Sequence, residues 1–219
     1  MTPTSLWYFG TEGFFWLRFI DSMPLLLTFA VTSTAIVIAM LIAEPTLRRR
    51  IEWLRPSPTG RGGYSESAGA LAGAIPGSAM SIGAGLAGAI VTAAPLLLIY
   101  NAIPIEARGG EVALTLLPAI AVTSLLGNLY EELLFRGFLQ DYLQEELGLT
   151  PLHAAIGSGV AFAAGHSFLA VTVTGMGAPL LLFALYEGMI AGLIRMRWGL
   201  TPAVLSHGGA IFILAGGLV

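Results

Sequence analysis

The sequence predicts an all-α integral membrane protein, a bundle of about six transmembrane helices behind an N-terminal interfacial aromatic segment. Three observations predict it. Of the 219 residues, 56% are hydrophobic and only 11% charged, with a mean hydropathy of +0.82, whereas soluble domains carry roughly 25% charged residues. The apolar residues gather into runs of about 20, the length a helix needs to cross a hydrocarbon core of about 30 Å. Most arginines lie between those runs.

Composition also removes whole classes of chemistry. Cysteine is absent, which excludes disulfides, thiolate-bound zinc, iron–sulfur clusters and a thiol nucleophile. Lysine is absent too, and all ten basic residues are arginine. No Ser/Lys dyad or Schiff base can form, and the all-arginine usage fits a GC-rich bacterial genome. Asp21 and Asp141 are the two aspartates. Both fall outside the strongest apolar runs, which argues against an intramembrane aspartyl dyad.

In chain order, residues 1–22 carry Trp7, Tyr8, Phe9, Phe14, Phe15 and Trp16 but no basic n-region or small-residue cleavage site. Such aromatic density belongs at headgroup level. The first span is expected from Pro24 to Ala43, and a polar stretch from Leu47 to Ser67 follows. The second apolar region, Ala68 to Tyr100, is long for one span and holds Pro76 and Pro95, so a broken or tilted helix is expected. The third helix should begin near Glu111 and continue to Leu147. Thr150-Pro151 reads as an N-cap followed by proline at the first helical position, opening a fourth helix to Phe168. The fifth is expected from Pro179 to Met196. Thr201-Pro202 repeats the cap signal for a sixth. Residues 1–219 form one membrane domain, in which 1–22 are interfacial, 23–110 hold two spans and the basic loop, and 111–219 form the core.

Arg48, Arg49, Arg50, Arg55 and Arg61 follow the first span, and Arg195 and Arg197 follow the fifth. An even number of spans separates these loops, so both lie on one face, which the positive-inside rule makes cytoplasmic. The location implied is a bacterial cytoplasmic membrane, crossed several times, with both termini outside. The arginine run is a topology determinant near anionic headgroups, and no nucleic-acid partner is expected. Gly69, Gly73, Gly77, Ser81, Gly85 and Ala89 recur four apart. Small residues at that spacing let another backbone approach closely in lipid. The favoured partner is a helix of the same chain; the alternative is a partner membrane complex docked on the Gly69/Gly73/Gly77/Gly85 face.

The third helix carries Glu131, Glu132 and Arg136. Charges in a span cost roughly 2.5–3.5 kcal/mol each on insertion scales and normally face the bundle interior or a water-filled cavity. Glu132 and Arg136, at i,i+4, can pair along the helix. Glu131 points about 100° away, so one carboxylate is neutralised while the other stays free to exchange protons. His166, closing Phe162-x3-His166 on the fourth helix, and His207 on the sixth add two titratable groups on separate helices. One Glu and one His could polarise a water while a second His stabilises an oxyanion. His153 reads as interfacial and uninvolved, and Glu187, inside the fifth span, as a structural buried acid. Metal coordination ranks second: no His-Glu-x2-His is present, and Glu131 and Glu132 diverge. No cofactor is expected.

Glu131-Glu132-x3-Arg136, Phe162-x3-His166 and the late His207 resemble the successive motifs of the Abi/CAAX-protease family, which includes type II CAAX prenyl endopeptidases and bacteriocin-processing proteins. The resemblance runs from about residue 111 to the end, and the three motifs in order are strongly specific. It implies a glutamate intramembrane protease needing no metal, acting on a membrane-associated peptide or protein. Glu131 and His166 would activate the water. Glu132 and Arg136 would structure the site or contact substrate, and His207 would help bind the oxyanion. The last motif departs from the family's His-x3-Asn, because Ile211 stands one turn after His207. Losing one oxyanion donor typically costs about 10²–10³ in rate. Asn128, one turn before Glu132, is a candidate replacement. The competing expectation is a catalytically inactive member serving as a structural or accessory subunit of a bacterial membrane complex.

Overall fold

The computed structural model describes residues 7–9, 15–17, scattered positions between 28 and 43, and the stretches 77–102, 117–173 and 177–215. The basic loop, the polar turn around Pro104 and Arg108, and residues 68–76 lie outside the described residues. Within the first expected span every described position is helical, and nearly all are exposed, as lipid-facing residues would be.

Within the aromatic segment the structure describes two short strands. Strands β1 (Trp7–Phe9) and β2 (Phe15–Leu17) pair antiparallel, with Trp7 opposite Leu17, Tyr8 opposite Trp16 and Phe9 opposite Phe15. Aromatic residues favour extended, half-buried backbone. Apart from these two short strands the described elements are helical.

Helix α1 spans Gly77–Tyr100, starting directly after Pro76. Pro95 lies within it and does not end it. A proline deletes the N–H that would bond the carbonyl four residues earlier, here Val91 O. The Tyr186 hydroxyl donates to that carbonyl at 2.8 Å, meeting the demand lipid places on every backbone polar group. Tyr186→Phe is therefore expected to cost about 0.5–2 kcal/mol in detergent unfolding. Pro95→Ala in the same background should recover the loss, because alanine restores the helix's own donor. An equal cost with either residue at position 95 would disprove the account.

The third expected helix is continuous but not uniform. Helix α2 (Leu117–Glu132) passes into a π-helical stretch, Leu133–Leu139, and then into α3 (Gln140–Glu145). Wide turns of this kind concentrate at functional sites, and this one begins next to Glu132. Within it Phe135 O accepts the Gln140 N–H and also the Ser158 hydroxyl at 2.7 Å.

Helix α4 (Pro151–Gly165) opens as expected: the Thr150 side chain accepts the His153 N–H at 3.3 Å, with proline at the first position. A further π-helical turn, Leu169–Val173, carries the chain past the expected end at Phe168. Helix α5 covers Ala178–Trp198, and α6 covers Leu200–Ala215. The second cap signal is displaced. Gly199 adopts φ 99°, a left-handed turn open to glycine, so α6 begins at Leu200, ahead of Thr201. Pro202 then sits in the first turn, where no intrahelical donor is needed.

Helix α6 is central. It packs on α1, where a Cβ on Gly85 would lie 2.9 Å from Leu205 Cβ and one on Gly209 would lie 2.8 Å from Ala89 Cβ. The small-residue face of α1 is thus occupied by the same chain at Gly85 and Ala89; Gly69 and Gly73 lie outside the described residues. Helices α4 and α5 meet as closely, since a Cβ on Gly192 would stand 2.9 Å from Ala155 O and one on Gly188 would stand 3.0 Å from Gly159 O. The main apolar core joins Ala93, Leu96, Ile120, Phe183, Ala210, Ile211 and Leu214 from α1, α2, α5 and α6. Large apolar side chains such as Leu86, Ile90, Leu98, Val160 and Leu182 point outward. Three described helices are long and apolar enough to cross a membrane, with mean hydropathies of 2.1, 1.5 and 1.5, and the architecture is that of a membrane helical bundle.

Candidate active site

The i,i+4 pairing on the third helix is present. Arg136 Nη1 donates to Glu132 Oε1 at 2.8 Å, with both side chains fully buried. Arg136 Nη2 donates to Gly188 O at 3.0 Å, and the guanidinium lies 4.4 Å from the centroid of the Phe162 ring. Farther along, Gln140 Nε2 donates to Gly192 O at 3.2 Å, and Arg195 Nη2 donates to Asp141 Oδ1 at 2.8 Å. Three rungs therefore join the third helix to α5. One expectation is corrected by them: Arg195, read as part of the loop after the fifth span, lies within α5 and forms a buried ion pair with Asp141. The reason is that α5 continues to Trp198, which carries Arg195 into the protein.

His207 lies between two carboxylates. Its Nδ1 is 2.8 Å from Glu132 Oε1. Glu132, paired with Arg136, is a carboxylate and can only accept, so Nδ1 carries a proton. Its Nε2 faces Glu187 Oε1 at 3.5 Å. Glu187, read from the sequence as a structural buried acid, is buried and stands against His207, because α5 and α6 bring two groups twenty residues apart in sequence face to face.

His166 closes α4, and its Nδ1 lies 2.9 Å from Phe162 O. A carbonyl only accepts, so Nδ1 is again the donor and the opposite nitrogen of a neutral ring is left as a base. Phe162 is fully buried at the centre of the cluster. The His166 ring is 4.4 Å from its centroid, the His207 ring 5.4 Å and edge-on, and Phe135 5.2 Å.

Glu131 diverges from Glu132 as expected. Its Oε1 accepts the Tyr130 hydroxyl at 3.0 Å, and its Oε2 is buried with no hydrogen-bond partner. Glu131, His166, Arg136 and His207 all lie within electrostatic reach of Glu187. The structure thus brings Arg136, His166 and His207 around Phe162, with Glu132 bonded to Arg136 and His207 and Glu131 within electrostatic reach of His207, and it adds Glu187 and Tyr130, which the sequence does not place there. For Glu187 a signal was available: an acid inside a span is expensive enough to suggest a purpose.

Ile211 is buried in the apolar core and offers no donor. Asn128 Nδ2 donates back to Ser124 O at 2.6 Å, so one of its two N–H bonds is used within its own helix. His153 is exposed beside Thr150, away from the cluster. Among the described residues, no three His, Asp or Glu side chains are arranged to hold a metal ion.

Residues 113–213 match the family model described as type II CAAX prenyl endopeptidase Rce1-like. That span is a little under half of the chain and contains every residue of the cluster. No curated protein and no solved structure matches the chain. The ordered motifs and the family match agree: over residues 113–213 this membrane protein is similar to the Rce1-like type II CAAX prenyl endopeptidases.

Proposed function

We propose that the chain is an intramembrane endopeptidase of the glutamate type, hydrolysing a peptide bond of a membrane-associated substrate with a water activated by Glu131 and His166. The observation that carries this reading is the convergence of the motif residues of three helices on one buried ring, with two basic atoms left open. Glu131 Oε2 has no hydrogen-bond partner. His166 Nε2 is freed because Nδ1 is engaged by Phe162 O.

In this mechanism Glu131 takes the proton of the attacking water while His166 Nε2 orients it. The hydroxide adds to the scissile carbonyl carbon, the oxyanion is stabilised by His207, and the proton held by Glu131 passes to the leaving amine as the C–N bond breaks. Tyr130 fixes the rotamer of Glu131 by holding its other oxygen. Glu132 and Arg136 neutralise one another and hold His207 in one orientation. The protein would cross a bacterial cytoplasmic membrane several times, with lipid as its solvent and a membrane peptide as its partner.

A test is cleavage of membrane-anchored peptides, lipidated and unmodified, by the purified chain in proteoliposomes. Cleavage that His166→Ala lowers by about 10²-fold or more supports the proposal; cleavage indifferent to that change defeats it. One observation favours a second reading. Ile211 fills the core where the family pattern has a donor, as a structural subunit with no oxyanion to bind could tolerate. That reading expects a stoichiometric copy of the chain in a larger native complex and no cleavage.

A further inference from the structure

Glu187 lies outside the three motifs, and nothing in the proposed hydrolysis requires it. It is nevertheless 4% exposed, with Oε1 lacking a hydrogen-bond partner and standing 3.5 Å from His207 Nε2. The His207 ring is already fixed, since Nδ1–H donates to Glu132. Were Nε2 bare and Glu187 ionised, a lone pair would face a carboxylate oxygen with no proton between them. One of the two must carry that proton. A carboxylic acid donating to the ring would draw the atoms to about 2.6–3.0 Å; 3.5 Å suits facing charges without a directed bond.

The groups acting on His207 from each packed element are Glu131 and Glu132 on the third helix and Glu187 on α5. Arg136 and His166 are the basic groups near Glu187. Of these, Arg136 is already engaged by Glu132 and Gly188, and His166 by Phe162 O. The acid faces His207 instead.

We infer that Glu187 is a positioning residue that keeps His207 protonated on both ring nitrogens, so that its Nε2–H is a charged oxyanion donor, which offsets the lack of a second donor at Ile211. The catalytic half of this inference rests on the hydrolase reading above; the protonation of His207 does not. An N–H held by charge, without a short hydrogen bond, can be engaged by an arriving oxyanion at little cost. A fully protonated ring also stabilises that oxyanion better than a neutral one.

The test is ring-nitrogen NMR of 15N-histidine-labelled protein in bilayers near neutral pH. The chain has three histidines, so His153→Gln and His166→Gln assign the signals. The wild-type His207 should show two protonated nitrogens, and Glu187→Gln should lose the Nε2 proton while keeping Nδ1–H. A wild-type ring with one bare nitrogen overturns the inference, as does a Glu187→Gln ring that keeps both protons. In cleavage assays Glu187→Gln should lower kcat roughly 10²-fold with KM within about twofold. An unchanged kcat overturns the catalytic half. The spectra need no substrate, so failure of the hydrolase reading and failure of Glu187 to hold His207 give separate results.

Discussion

Glu131→Gln is expected to lower the rate of membrane-peptide cleavage by about 10²–10⁴-fold, the range general-base catalysis supplies, while the bundle stays folded. The substitution is isosteric and keeps an oxygen for the Tyr130 hydroxyl, which Glu131 Oε1 accepts at 3.0 Å. What it removes is the basicity of Oε2, the buried oxygen with no hydrogen-bond partner. Stability should therefore change little, because the buried ion pair belongs to the neighbouring Glu132. Paired measurements of cleavage and thermal unfolding separate the two effects. A variant with wild-type cleavage would remove Glu131 from the chemistry and move the role of base elsewhere in the cluster.

Arg136→Met should produce the largest loss of stability, about 3–5 kcal/mol, as breaking one side of a buried ion pair generally does. Arg136 is fully buried and satisfies Glu132, the Gly188 carbonyl and the Phe162 ring at once. Its loss leaves the Glu132 charge with only His207 to answer it. Glu132→Gln combined with Arg136→Met should recover part of the cost, because the stranded charge is then gone. Unfolding in detergent decides the matter: a single variant within about 1 kcal/mol of wild type would mean that the pair is not what holds the site.

The motif residues were legible because their spacing lies along single helices. Glu132 and Arg136 meet as i,i+4 geometry requires, and Thr150 caps α4 as its hydroxyl and the following proline announce. The contacts that were not legible join different helices. Nothing local in the sequence places Glu187 opposite His207, or Asp141 opposite Arg195, because those meetings depend on how α5 lies against its neighbours. Pro95 was read as an interruption, but a hydroxyl from another helix replaces its missing donor. The π-helical stretch escaped for a related reason: Leu133–Leu139 is ordinary helix-forming sequence, and its wide turn shows only in the backbone. At Gly85 and Ala89 the four-residue small-residue pattern of α1 meets α6, whereas Gly188 and Gly192 on α5, which approach α4 as closely, form only a single such step in the sequence.

The three rungs between the third helix and α5 act as a vernier. Arg136 and Gln140 are four residues apart, as are the glycine carbonyls they grip at Gly188 and Gly192. Those two rungs alone are nearly degenerate: sliding α5 by one turn, about 5.4 Å, would present one glycine carbonyl where the other had been. The Asp141–Arg195 pair has no such repeat and admits a single setting. An ion pair two turns from Glu187 along α5 thus decides which residue stands before His207.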